Sequence, residues 1–303
     1  MIIIYDLEKK RITLKDNTQL EIMVIKAQPP VKGTMQILHG MAEHMDRYMG
    51  IAQYFSELGY QIILHNHRGH GKLIDESSRG HFDSIEQLVD DAHEIFETFY
   101  TSGRKIILGH SMGSIVTRCY LARYPDVFDD CILVGTGYYD KKYQSSKVLL
   151  KALMKVHPND AKLPKVNAMS NQSFNQKFKP LRTKSDWLSL NEDNVDTFIQ
   201  DPYCGFDMSL QALFSIAQTM GETQKASVIQ KMNPDLNLLF VSGKDDPFSH
   251  FGKGIKILAR KYHKCGIENV TVQLYKDARH EVLNEVNRLE VLENIRKWLL
   301  RYE

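Results

Sequence analysis

The sequence predicts an α/β protein, a mostly parallel sheet with helices on both faces and one inserted helical cap. Three observations predict it. Short apolar runs at 34–38, 61–64, 105–108, 131–134, 236–241 and 270–275 alternate with segments of helical spacing. That alternation fails between 135 and 205, where polar and proline-containing segments replace buried strands. Gly109-His110-Ser111-Met112-Gly113 joins an apolar strand to a helical segment, so the serine sits on a sharp strand-to-helix turn.

The elements follow in order. Runs 11–14 and 19–25 flank the polar turn Lys15-Asp16-Asn17-Thr18 and read as a β-hairpin. Strand 34–38 runs into His39-Gly40. A helix over 48–58 stops at Gly59, a residue that tolerates the left-handed C′ position. Strand 61–64 leads into a loop rich in glycine and histidine that continues to Gly80. The helix at 84–100 repeats Ile85, Leu88, Val89, Ala92, Ile95, Phe96 and Phe99 on one face. The strand 105–108, the serine turn and a helix at 114–122 come next, then strand 131–134. After the irregular stretch the pattern resumes with helix 208–220, strand 236–241, helix 251–263, strand 270–275 and helix 284–302. The predicted core comprises 1–137 and 208–303, with 138–207 as the cap.

Composition narrows the function classes. The chain has 303 residues, 43% hydrophobic and 25% charged, and a net charge of +2, so no global positive field argues for nucleic acid. Its four cysteines are widely spaced, which argues against a zinc ribbon or a disulfide framework. The segment Met1-Ile2-Ile3-Ile4-Tyr5-Asp6 lacks the basic and long apolar regions of a signal peptide, and no run reaches the roughly 18 apolar residues of a membrane span. A cytoplasmic location is the expectation.

The serine turn carries the chemistry. A serine hydroxyl needs a base in hydrogen-bond reach, and the base needs a group to orient it. In such sheets the active groups lie beyond the carboxyl ends of strands. That rule selects His280 among twelve histidines, because Lys276-Asp277-Ala278-Arg279-His280 follows the last strand. His263 sits at a helix end before a strand, on the opposite side. Asp245 and Asp246 both follow strand 236–241, and Asp277 is a more distant candidate. The backbone N–H groups of Met112 and Met41 are the expected oxyanion donors. Histidines 65, 67 and 70, or His39 with Glu43 and His44, match no metallohydrolase helix motif, so neither a metal nor a cofactor is expected.

These segments together resemble a known family. His39-Gly40-Met41-Ala42-Glu43-His44 with Arg47-Tyr48, His67-Arg68-Gly69-His70-Gly71, the serine turn, Asp245-Asp246-Pro247 and Arg279-His280-Glu281 are similar to the α/β-hydrolase group of bacterial lysophospholipases and monoacylglycerol lipases, which overlaps the serine aminopeptidase-like hydrolases. The resemblance implies an α/β-hydrolase fold and selects Asp246 as the acid. It also implies Met41 and Met112 as oxyanion donors. One departure is Asn66, where the group has an aspartate that buttresses the following loop.

The reading is therefore a serine carboxylic-ester hydrolase of the lysophospholipase or monoacylglycerol lipase type. Ser111, His280 and Asp246 would release a fatty acid from a single-chain acyl lipid through an acyl-enzyme. A peptidase using the same residues is the alternative, followed by a non-catalytic binding protein on a hydrolase fold. The cap adds a clue to the substrate. Residues 141–184 hold eleven Lys and Arg against the single acid Asp160, and Lys147, Lys151 and Lys155 recur every four residues on one helical face. Such a basic amphipathic helix fits peripheral contact with an anionic membrane surface and capture of a small amphiphilic acyl substrate. A packed apolar face with solvated lysines is the plainer expectation.

Overall fold

The computed structural model describes residues 6–302, so all but the last residue of the N-terminal segment judged above lies outside the described residues. The chain builds β1 (Leu7–Thr13), β2 (Gln19–Ile25), β3 (Gly33–Leu38), α1 (Met49–Glu57), β4 (Tyr60–His65), α2 (Ile85–Phe99), β5 (Arg104–His110), α3 (Met112–Arg123) and β6 (Asp130–Val134). Next come α4 (Lys141–Leu153), α5 (Pro164–Phe174), α6 (Glu192–Gln200), α7 (Leu210–Glu222) and α8 (Ala226–Ile229). Last are β7 (Asn237–Gly243), α9 (Lys253–Lys264), β8 (Val270–Tyr275) and α10 (Arg288–Leu299).

The eight strands form one sheet in the order β1-β2-β4-β3-β5-β6-β7-β8. The first two pairings are antiparallel and the rest are parallel. The outermost strand β1 is polar, with Lys9, Lys10 and Arg11 guarding an edge that would otherwise invite pairing. Central strands are apolar on both faces because helices cover both. Phe96, Tyr120, Phe128, Phe240 and Tyr262 fill one side, and Tyr48, Phe55, Ile295 and Trp298 fill the other. Each fully buried side chain such as Ile63 or Leu239 contributes about 1.5–3 kcal/mol.

Register sets where the chemistry sits. Leu38 pairs with Gly109, His110 with Val134, Val134 with Val241, and Gly243 with Tyr275. The carboxyl ends of five strands therefore finish on one edge, and the loops leaving them converge.

The stretch 135–205 is helical. Asp140 caps α4 by accepting from the Lys142 and Tyr143 amides, Pro164 opens α5, and Asn191 caps α6. The periodic lysine face is shorter than expected. α4 ends at Leu153, and Lys155 lies in the turn that follows. The apolar residues of this helix also do not all pack inward. Leu150 is buried, whereas Val148, Leu149 and, beyond the helix, Val156 are exposed. Among the described residues no helix is long and apolar enough to cross a membrane.

Candidate functional site

The serine turn is built by close packing. Ser111 takes φ 53° and ψ −117°, a left-handed backbone that a non-glycine residue adopts only under tertiary constraint. A Cβ at Gly109 would lie 2.4 Å from the Gly113 carbonyl oxygen, and one at Gly113 would lie 2.2 Å from that of Leu38. Both positions exclude any side chain, so the strand, the serine and α3 pack as one rigid unit.

His280 lies across from the serine. Its Nε2 is 2.9 Å from Ser111 Oγ, and its Nδ1 is 3.1 Å from Asp246 Oδ1. Asp246 Oδ1 also accepts from the Phe248 amide at 2.9 Å, which fixes the carboxylate in the turn after β7. Asp246 is fully buried and His280 is 2% exposed. The imidazole is packed by Trp187, with ring centroids 4.8 Å apart, and by the edge of Phe248 at 5.6 Å. The other two aspartates turn elsewhere. The Asp245 side chain lines an outer cleft with Lys177 and Lys244, and Asp277 pairs loosely with Lys276 at the surface.

The loop after β3 offers one amide to the site. The Gly40 N–H donates to Glu43 Oε1 at 2.6 Å, and the Ala42 N–H donates to His70 Nε2 at 3.2 Å. Between them, the Met41 N–H has no hydrogen-bond partner among the described residues. Met112 opens α3, so its N–H has no intrahelical acceptor. Two unspent donors thus flank Ser111.

Histidines hold this loop as neutral acceptors. His70 Nδ1–H donates to the Arg68 carbonyl at 2.8 Å, leaving Nε2 to receive the Ala42 amide. His39 Nδ1–H donates to the Gly40 carbonyl at 2.8 Å, leaving Nε2 to receive the His67 amide at 3.0 Å. Burial pushes His70 down to about 4 and His65 to about 3, and it holds His39 and His67 well below 6.5. Asn66, where the group has an aspartate, ties the loop after β3 to β2. Its Oδ1 accepts from the Met45 amide at 2.8 Å and its Nδ2 donates to Glu21 Oε2 at 2.9 Å.

A buried ionic cluster underlies these loops, and sequence reasoning gave its members no role. Glu43 accepts from Gly40 and from Tyr48 Oη at 2.8 Å, and it pairs with Arg47. Arg47 also grips both carboxylate oxygens of Glu281. Burial drives the Glu43 carboxyl up, but the Arg47 charge, the hydrogen bond and charge of His110 and the charge of His39 together outweigh this and hold it well below the usual range. His110 is pushed down by burial, but the hydrogen bond and charge of Glu43 together with the charge of Glu281 outweigh this, so its net shift is upward. Arg47-Tyr48 and Glu281 stood inside the singled-out segments, which was the available signal. Trp187 had none, because its segment shows no periodicity.

Two cavity arms meet at Ser111. One, of about 140 Å³, is apolar, with Tyr143, Leu150, Ala217, Met220 and Phe248 in its walls. The other, of about 150 Å³, carries polar groups including Asn167, Asn171, Lys184 and Asp207. Among the described residues, His44, Asp201 and Cys204 bring potential metal-ligand atoms within 4.8 Å of one another. His44 Nε2 already bonds Asp201 Oδ2 at 2.8 Å, and burial pushes the Cys204 thiol far up, which disfavours the thiolate a metal needs. This arrangement is a complete hydrogen bond beside a neutral thiol.

The family model for serine aminopeptidase, S33, matches residues 29–287. The chain belongs to that family. Its sequence is 26% identical over 280 residues to a monoacylglycerol lipase of Mycolicibacterium smegmatis, covering 89% of each chain. It is 25% identical to the monoglyceride lipase of Mus musculus, covering 88% of this chain and 82% of the relative. Among solved structures, a thermostable carboxyl esterase from Bacillus coagulans superposes with a TM-score of 0.89 at 22% identity, covering 97% of both chains. A monoglyceride lipase from Saccharomyces cerevisiae gives 0.77 at 18% identity, covering 100% of this chain and 98% of that one. The fold is that of the α/β-hydrolases, and this S33 member is a serine hydrolase of the lysophospholipase and monoacylglycerol lipase group.

Proposed function

We propose that the chain hydrolyses the carboxylic ester of a single-chain acyl lipid, a lysophospholipid or a monoacylglycerol, through an acyl-enzyme. One observation carries the reading: the Asp246–His280–Ser111 hydrogen-bonded chain opens onto an apolar arm. Ser111 Oγ attacks the ester carbonyl while His280 Nε2 takes its proton. Asp246 holds the Nδ1–H tautomer and stabilises the imidazolium. The Met41 and Met112 amides receive the developing oxyanion. His280 then protonates the leaving alcohol, and water releases the fatty acid by the reverse steps. The apolar arm takes the acyl chain and the polar arm takes the alcohol. Residues 138–207 act as a cap that supplies walls to both arms.

The relatives' names favour esters, whereas the family description names peptides. The apolar arm favours the ester, because an acyl chain fills it and a free α-amine does not. Fatty-acid release from monoacylglycerol, lysophosphatidylcholine and a short aryl ester, beside an aminoacyl arylamide, tests this. Long-chain release that vanishes in Ser111→Ala is expected. Cleavage of the arylamide alone would sink the ester reading in favour of the peptidase.

The cap also fits contact with an anionic membrane surface. Val148, Leu149, Val156 and Met169 are exposed on a segment dense in lysine. Vesicle flotation at low salt should favour anionic over neutral lipid, and equal binding to both would remove this contact.

A further inference from the structure

Part of the segment 138–207 is tied directly to the loop that carries His280. One short 3₁₀ turn, Asp186–Leu188, lies against residues 279–285. The Glu281 amide donates to the Leu188 carbonyl at 2.7 Å, and the Arg279 guanidinium donates to the carbonyls of Asp186 and Ser189. The Leu190 amide donates to both carboxylate oxygens of Glu285, at 2.9 and 3.1 Å. Trp187 sits in the middle of this turn and is itself held at three points. Its amide donates to Asn175 Oδ1 at 3.0 Å, its indole N–H donates to Asn171 Oδ1 at 3.1 Å, and its ring packs on Phe174 with centroids 4.6 Å apart.

The imidazole of His280 needs more than its two hydrogen bonds. Those from Nδ1 to Asp246 and from Nε2 to Ser111 act at opposite ends of the ring. They fix where the ring sits and leave it free to rock about the line that joins them. Contacts on its faces stop that motion. The indole centroid of Trp187 lies 4.8 Å away with the planes 37° apart, whereas Phe248 meets the imidazole at 87° and His110 lies 5.0 Å away at 45°. Of these three neighbours, Trp187 is the nearest and the closest to parallel. His280 also becomes a cation when it takes the Ser111 proton, and an aromatic face in a desolvated site stabilises a cation. Resting on the reading of Ser111, His280 and Asp246 as the active centre, we propose that Trp187 is a positioning residue for His280. Its indole holds the imidazole plane in line with Ser111 Oγ and supports the imidazolium during proton transfer. The segment 138–207 thereby acts on the rate of the chemistry as well as on the walls of the two arms.

Trp187 also lines both arms, so the test separates the rate of the chemistry from the fit of the substrate. An aryl acetate serves, because its two-carbon acyl group leaves the apolar arm largely empty. Trp187→Leu should lower kcat about tenfold and leave KM within about twofold, as for an interaction made in the transition state. Trp187→Phe restores a ring and should recover kcat to within about threefold of the unaltered chain. A small fluorophosphonate, whose phosphorus takes Ser111 Oγ as fluoride leaves, reads the same activated serine without ester turnover. Its rate of labelling should fall in parallel with kcat, and its endpoint counts the folded sites to which each kcat is referred. A raised KM with kcat unchanged would make Trp187 a wall residue and overturn the proposal, and so would equal losses in the Leu and Phe variants. If Ser111 is labelled but the acetate is not cleaved, the ester reading falls and the labelling rates alone decide the role of Trp187. If Ser111 is not labelled, the reading of the active centre falls and this proposal falls with it.

Discussion

Arg47 Nη1 and Nη2 donate to the two carboxylate oxygens of Glu281 at 2.8 and 2.7 Å, across 234 residues of sequence. Glu281 directly follows His280, and Arg47 also binds Glu43, whose carboxylate holds the Gly40 amide. One guanidinium thus ties the loop bearing His280 to the loop bearing the Met41 amide. The side chains are 8% and 2% exposed, so removing one partner leaves a buried charge unpaired. Arg47→Met should destabilise the fold by about 3–5 kcal/mol. Glu281→Gln keeps the shape and part of the hydrogen bonding, so it should cost less. Urea unfolding measures both. A loss under about 1 kcal/mol for Arg47→Met would place this pair among weak surface bridges.

The two adjacent aspartates make a sharp comparison. Asp246 Oδ1 receives His280 Nδ1, whereas Asp245 lines an outer cleft beside lysines. Asp246→Asn should lower kcat about 10⁴-fold, because an amide at that position favours the wrong imidazole tautomer. Asp245→Asn should leave kcat within about threefold, as expected for a partly exposed group remote from the reacting atoms. Steady-state kinetics on an aryl ester decides it, and comparable losses in both variants would refute the assignment of Asp246.

Acid should weaken the fold through its neutral histidines. An unfolded histidine titrates near 6.5, whereas burial holds His70 near 4 and His39 and His67 well below 6.5. Below pH 6.5 the unfolded chain binds protons that the folded chain refuses. The stabilisation is therefore full above that pH and falls as pH drops toward 4. Each such histidine contributes a slope of about 1.4 kcal/mol per pH unit within its window. His110 works in the opposite sense, since its raised value adds stability at low pH that is lost as pH rises through it. Urea midpoints at pH 8, 7, 6 and 5 should fall steadily below 6.5. His70→Gln, whose amide oxygen can still accept the Ala42 N–H, should flatten the slope. An unchanged slope in that variant would show that His70 does not titrate in this window.

The sheet was legible because its strands are apolar runs whose length and flanking turns leave little choice. Ser111 and His280 were legible for a related reason, since strand ends point to the residues that follow them. Asp246 was not separable from Asp245 by pattern, because both follow β7, whereas in the structure Asp246 alone of the two meets His280 Nδ1, held there by the Phe248 amide. The role of Arg47 depends on a partner 234 residues away, which no local period encodes. Trp187 reaches His280 through tertiary packing. Its indole N–H donates to Asn171 Oδ1 and its amide to Asn175 Oδ1, which swings the ring over the imidazole. The end of α4 at Leu153 was missed because lysine spacing continues past it while the backbone hydrogen bonds do not.

Acyl-chain selectivity offers a direct test of the apolar arm. Ala217 on α7 is 6% exposed and lines that arm with Met220 and Phe248, while it does not line the polar one. Each methylene that leaves water for such walls contributes about 0.8 kcal/mol, roughly a fourfold gain in kcat/KM per carbon until the arm is full. A longer chain should therefore be preferred in a homologous series of aryl esters, up to a plateau set by the arm. Ala217→Trp adds a large ring to the wall and leaves Ser111, His280, Met41 and Met112 themselves unaltered. Butyryl ester should then be cleaved nearly as before, while the ratio of dodecanoyl to butyryl turnover falls more than about tenfold, the gain from two or more methylenes. A melting temperature near that of the unaltered chain would show that the ring is accommodated in existing space. Equal losses on both esters would mean that the acyl chain lies elsewhere, and would exchange the roles assigned to the two arms.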